Sequence, residues 1–149
     1  MKQIMYVLQF KGQAAPSPDA DNVLTAATEA ASCTVRTVAD ASGVSATIDE
    51  SSGDAAQFES VVTLTGGTTF QESGSISFGD GANKLYFSTI GHGHMDASAD
   101  PDLKHGSVIW KLDRGEGQFD GATGLITSNF TVSSTGEVVD NHFGVIFVQ

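Results

Sequence analysis

The chain has 149 residues, 40% of them hydrophobic, with 17 glycines and 3 prolines, the composition of one folded domain spanning 1–149 and not of a disordered segment. Its 18 acidic side chains against 7 Lys and Arg give a formal net charge of −11. So few cations cannot build the patch that a nucleic-acid backbone or an anionic membrane surface requires, so neither is an expected partner, and the acidity is read as a solubility feature.

In the first stretch Ile4, Tyr6, Leu8 and Phe10 share one parity, and Met5 and Val7 take the other. A strand apolar on both faces is central to a sheet or sits against a partner chain. Gln3, Gln9 and Lys11 interrupt this segment, and no small-residue cleavage site follows, so a strand is expected here and not a signal peptide. No window approaches the length of a membrane span, and the expected compartment is the cytoplasm. Lys11-Gly12 and Pro16-Ser17-Pro18-Asp19 end the strand with breaker residues. Asp19 to Ala31 is ambiguous between helix and strand, and the reading is a loop or short helix leading into a strand.

From Cys33 the period is 2: Val35 and Thr37 alternate with Arg36 and Val38, Ser42-Gly43 turns, and Val44, Ala46 and Ile48 share a face. Cys33 itself is read as a small buried hydrophobe, since a nucleophile needs a base beside it. After the polar loop Asp49–Asp54, Phe58, Ser60, Val62 and Leu64 form the next strand. The cleanest alternation follows, Phe70, Glu72, Gly74, Ile76 and Phe78 against Gln71, Ser73, Ser75 and Ser77. It puts Glu72 on the core face, where a lone carboxylate is costly; Arg36 or a backbone donor is the expected partner. Desolvation there would raise its pKa, as an acid or base catalyst requires.

Leu85, Tyr86, Phe87 and Ile90 begin a strand that runs into Gly91-His92-Gly93-His94, and Asp96–Lys104 is a loop with Pro101. Ser107–Asp113 places Val108, Trp110 and Leu112 on one face, and glycines 115, 117, 121 and 124 turn the chain. Ala122–Val132, with Ile126 and Phe130 inward, and Glu137–Val148 close the set. Asp140 and His142 share the parity of Ile146 and Val148 and could line one end of a cavity. About nine short strands with glycine turns predict an all-β fold, a closed antiparallel β-barrel of eight to nine strands, since few strands carry devices that protect an exposed edge.

The segment Phe70–Phe78, the strand around Trp110, and Gly115-x-Gly117-x-Phe119-x-Gly121-Ala122-x-Gly124 resemble a bacterial family of small proteins grouped with the allene oxide cyclase barrel. Dirigent proteins have a similar barrel and a comparable Phe-x-Gly-Ala-x-Gly turn. The resemblance runs from about Gln57 to Val148. It implies a small barrel with a cavity, in a group whose members associate as homodimers or homotrimers; the outer face of Lys2–Phe10 is the expected interface. No stretch matches the plant cyclase's catalytic segments, so the resemblance assigns no catalytic residue. Lipocalin barrels are a second neighbour in structure, although their Gly-x-Trp signature is missing here.

Few motifs carry chemistry. His92-x-His94 on one strand would put two imidazoles on a common face with Tyr86 and Ser88, the spacing of metal ligands, but no third ligand is fixed and the reading is a polar strand end at the barrel rim. Asp96-x-Ser98-x-Asp100-x-Asp102 fails as a calcium loop, with Pro101 where glycine is needed and Ser107 where Glu is needed. Gly115-Glu116-Gly117 lacks the third glycine of a dinucleotide fingerprint, and no Gly-x-Ser-x-Gly elbow occurs. No cofactor is expected. The leading expectation is a small apolar or aromatic ligand held against Phe70, Phe78, Tyr86, Trp110 and Phe130, with Glu72 and His142 as polar contacts. The alternatives are a cofactor-independent cyclase or isomerase, by fold analogy, and a structural oligomer whose barrel is filled by its own side chains.

Overall fold

Strand β6 (Thr69–Phe78) shows how the alternation builds the molecule: Phe70 and Ile76 are buried while Gln71 and Ser73 are exposed. The same period of 2 recurs along the chain, so each strand has one face that must be covered. In the computed structural model, which describes residues 1–149, 72% of the chain is strand and 2% helix. The other strands are β1 (Lys2–Pro16), β2 (Val23–Ala30), β3 (Cys33–Asp40), β4 (Gly43–Glu50), β5 (Ala56–Leu64), β7 (Asn83–Thr89), β8 (Gly93–Ala97), β9 (Leu103–Glu116), β10 (Thr123–Ser133) and β11 (Glu137–Val148). No helix is long and apolar enough to cross a membrane.

Eight lanes close into an antiparallel barrel in the order β10-β11-β1-β2-β5-β6-β7-β9, with β9 pairing back onto β10. β7 and β8 lie end to end in a single lane: β6 pairs with β7 through Ser73–Phe78 and with β8 through Thr69–Phe70, and β9 pairs with both. The lane breaks at Ile90–His92, where Gly91 takes φ 66°, a left-handed conformation that suits glycine. The strand expected to run unbroken into Gly91-His92-Gly93-His94 is therefore two strands. Asp19–Ala31 contains no helix; a turn leads into β2, whose residues alternate towards the lumen. The expected loop Asp96–Lys104 is shorter, because β8 and β9 claim both of its ends.

The two ends of the barrel differ. At one end Phe119, in the 3₁₀ turn Gly117–Phe119, is buried against Phe78 with ring centroids 5.4 Å apart and plugs the lumen. The glycine-rich segment before β10 thus closes the barrel as well as turning the chain. The middle is an aromatic layer in which Phe58 stacks on Phe87 at 5.4 Å and Phe87 lies 4.4 Å from Trp110. The other end, bounded by Pro16, Leu24, Lys104 and Gly136, is open.

Barrel curvature depends on close strand crossings. A Cβ on Gly74 would run into the Glu59 carbonyl and the Ser60 Cα of the neighbouring strand. Gly74→Ala is therefore expected to cost about 1–3 kcal/mol, as overpacking does. The check is a lower urea midpoint at unchanged m-value; an unchanged midpoint would show that β5 and β6 can separate freely there.

Candidate functional site

Above the aromatic layer the lumen holds a cavity of about 520 Å³ that opens at the unplugged end. Phe58, Val62, Phe70, Met95 and Phe130 supply most of its apolar wall, and Thr28, Glu72 and Asp140 are its inner polar groups. Lys104 stands among the lining residues nearer the mouth.

Each carboxylate is held by a serine from the adjacent strand of its own hairpin. Ser60 on β5 donates to Glu72 Oε1 at 2.6 Å, and Ser128 on β10 donates to Asp140 Oδ1 at 2.6 Å. In both hairpins serine and acid are twelve residues apart and face inward. The Glu72 backbone is fixed as well: its N–H donates to Thr89 Oγ1 at 2.7 Å, and the Thr89 hydroxyl donates to its carbonyl at 2.9 Å. That side chain takes over where the β6–β7 ladder stops at Ser73 and Ser88.

Glu72 is half-buried and lines the lumen cavity. Burial pushes its pKa from the ordinary 4.5 up to about 8, and the negative charge of Asp140 adds to the rise. The hydrogen bond from the Ser60 hydroxyl opposes it. Glu72 is thus mainly a neutral acid near pH 7, able to donate a hydrogen bond as well as accept one.

Asp140 Oδ2 lies 2.8 Å from His142 Nε2, and both side chains are almost wholly buried. The network assigns the Nε2 proton to this bond, which leaves Nδ1 buried without a partner. Aromatic rings enclose the imidazole, with Phe10 at 4.4 Å and Trp110 at 5.0 Å between centroids. Tyr6 Oη, Thr28 Oγ1 and Trp110 Nε1 are likewise buried without a partner. Burial, reinforced by the charge of Asp140, holds the Tyr6 phenol protonated far above its usual range. Unpartnered polar atoms around one lumen are uncommon in a finished core and are suited to a polar ligand group or ordered water.

The residues expected from sequence divide sharply. Glu72, Phe70 and Phe130 line the cavity, and the last two meet edge to face at 6.0 Å. Trp110 and His142 form the layer beneath it. Phe78 belongs to the plugged end, where it packs on Tyr6 at 5.8 Å and on Phe119. Tyr86 lies on the outside of the barrel: its inward neighbours are Leu85 and Phe87, its ring sits 3.5 Å under the Arg114 guanidinium, and its hydroxyl donates to Glu116 at 3.0 Å. A register shift opposite Tyr86 and Phe87 makes Asp113 a bulge and turns Arg114 outward to meet it.

His92 and His94 lie on the outside of the barrel, as Tyr86 does, and both line one shallow groove with Ile90, Ser107 and Asn129. His92 is in the lane break, with Nδ1 3.4 Å from Thr65 Oγ1, and His94 is exposed on β8. No group of three or more His, Cys, Asp or Glu side chains is arranged so that it could hold a metal ion. Arg36 is not the partner of Glu72; it is exposed on β3, away from the lumen. Sequence reasoning missed Ser60, Ser128, Thr28 and Phe58 as members of the site. The available signal was the inward parity of both serines, each in a strand otherwise apolar on that face.

No family model and no curated protein matches this chain. Among solved structures it is similar to a pterocarpan synthase dirigent protein, with a TM-score of 0.60 and 10% identity, over 98% of this chain and 88% of that one. At that identity the likeness is one of fold.

Proposed function

We propose that the barrel binds a small, mainly apolar ligand through its open end, with Glu72, Asp140 and Thr28 as the inner polar contacts. The observation that carries this reading is the unfilled lumen: about 520 Å³ of cavity lies above a core that is otherwise tightly packed. That volume is in the range of small-molecule sites, and a barrel built only for structure would fill it with side chains. Phenylalanine rings on two walls give a flat apolar ligand surfaces to stack on. A neutral Glu72 gives it a hydrogen-bond donor at the deep end.

The test is titration with an environment-sensitive apolar probe such as N-phenyl-1-naphthylamine, read by probe emission and by the single tryptophan, Trp110, beneath the cavity. Ala26 lines the wall, and Ala26→Phe should fill the lumen and weaken the probe at least tenfold while the melting temperature is maintained. Equal affinity in both proteins would place the probe elsewhere and remove this reading.

A second reading is cofactor-independent proton transfer, favoured by a carboxylic acid that titrates near pH 8 beside the cavity. The similar dirigent protein is named a synthase, which is consistent with a barrel of this shape hosting chemistry. Under this reading, Glu72→Gln abolishes turnover of an identified substrate while binding persists; unchanged turnover would leave binding alone.

A further inference from the structure

The lumen carries two acids and no matching cation. Glu72 and Asp140 both line the cavity, and Lys104 is the only Lys or Arg among the lining residues. Lys104 is exposed at the rim. It pairs with Val132, whereas Asp140 pairs with Phe130, so the carboxylate is set two residues deeper, about 7 Å along the strands. None of the 7 Lys and Arg side chains is buried, and those that form ion pairs do so with the exposed Asp113 and Glu116.

Both acids retain acceptor capacity that the protein does not use. A carboxylate offers about four lone-pair sites. Asp140 accepts one hydrogen bond from Ser128 and one from His142, and Ser60 engages Glu72 through Oε1 alone. Thr28 is an independent sign of a missing partner: it is 6% exposed, it lines the cavity, and its Oγ1 is buried with no hydrogen bond. Thr28 pairs with Gly12 and Asp140 with Phe10, successive inward positions of β1, so hydroxyl and carboxylate flank one strand. The charge of Asp140 is felt at Glu72, and the three groups therefore share one neighbourhood.

We infer that the cavity takes a lipophilic amine, whose ammonium donates to Asp140, Glu72 and Thr28 while its flat apolar body lies against Phe58, Phe70 and Phe130. The inference rests on the binding function proposed above and gives that ligand its chemical class. An ammonium group has three N–H donors and no acceptor, the complement of two carboxyls and a hydroxyl. Phenylalanine faces attract a desolvated cation as well as an apolar ring. An anionic ligand would meet two acids in a poorly solvated lumen, and a neutral one would leave Asp140 without a countercharge from Lys, Arg or ligand. A cation beside Glu72 also reverses the influence of Asp140 there, because it favours the ionised carboxylate. Glu72, mainly neutral near pH 7 in the free protein, therefore releases its proton as the amine enters. The other titratable groups around the lumen are Asp140, Tyr6 and His142, with Lys104 at the rim.

The experiment is isothermal titration calorimetry of the whole chain near pH 7 with three ligands that share one ring system: 1-naphthylmethylamine, 1-naphthalenemethanol and 1-naphthoic acid. The amine is expected to bind about tenfold or more tighter than the alcohol, the effect of a charge-assisted hydrogen bond, and the carboxylate weakest of the three. Repeating the amine titration in buffers of different ionisation enthalpy should show close to one proton released per amine bound, and Glu72→Gln should abolish that release. Asp140→Asn, with its fold checked by its melting curve, should bring the ratio of amine to alcohol affinity close to one. An alcohol that binds as tightly as the amine, or a carboxylate that binds tightest, would overturn the inference and leave the proposed binding function standing. So would the absence of proton release in wild type, or a preference for the amine that persists in Asp140→Asn. If neither the amine nor N-phenyl-1-naphthylamine binds, the inference and the function it rests on fall together.

Discussion

Glu72→Gln is expected to stabilise the protein in alkaline solution and to leave it nearly unchanged in acid, a difference of up to about 5 kcal/mol between pH 5 and pH 9. The cause is the pKa of Glu72, raised by burial from the ordinary 4.5 to about 8. Below pH 4.5 the carboxyl is protonated in both folded and unfolded chains and has no effect on the balance. Between pH 4.5 and 8 the unfolded chain releases the proton while the folded chain retains it, so wild-type stability falls as pH rises through this window. Above pH 8 the loss is complete. The substituted glutamine does not titrate, yet its amide oxygen still accepts the hydrogen bond from Ser60. The difference between the two melting curves should therefore grow from near zero at pH 5 to roughly 10 °C at pH 9. Taking the difference cancels the general repulsion of a chain with net charge −11. Parallel curves across this range would mean that water in the cavity solvates the carboxylate fully.

Asp140→Ala is expected to lower stability by about 3–5 kcal/mol near neutral pH, the cost of removing one member of a buried ionic or hydrogen-bonded pair. The carboxylate serves two buried groups at once, Ser128 through Oδ1 and His142 through Oδ2, and neither has another partner at that atom. Because the three form one network, adding Ser128→Ala to Asp140→Ala should cost little more than Asp140→Ala alone. Urea unfolding of the two single variants and the double variant measures this. A loss below about 1 kcal/mol for Asp140→Ala would show that water replaces the carboxylate at both partners. Asp140→Ala should also shift the alkaline loss of stability attributed to Glu72 to lower pH, since the charge of Asp140 is one of the causes holding that pKa up.

Much of the candidate site was legible because strand alternation is a local property. The run from Phe70 to Phe78 states which side chains face inward, and Glu72 follows from parity alone. The placement of Asp140 and His142 with Ile146 and Val148 followed in the same way. Tyr86 was readable by the same rule, since Leu85 and Phe87 on either side of it face inward, whereas the His92–His94 pair was harder because the break at Gly91 exists only relative to partner strands. Phe119 was taken for part of a turn, because nothing local distinguishes an aromatic at a loop apex from one that folds back into a lumen. The serine partners of Glu72 and Asp140 depend on cross-strand register, which pairs Val62 with Glu72 and Asn141 with Asn129 and so brings each inward serine beside its acid.

By itself the sequence determined that this protein is all-β, that its strands close on one another, and which face of most strands is buried. Those properties follow from the two-residue period of an extended backbone. Only the tertiary structure decided how far along the lumen each inward residue sits, because that depth is set by hydrogen-bonded register between strands distant in the chain. Register placed Phe78 at a filled end and Phe70 and Phe130 at an open one, although all three read alike in sequence. It also ended β2 short, so that Lys2–Phe10 is paired on one side only, by β11.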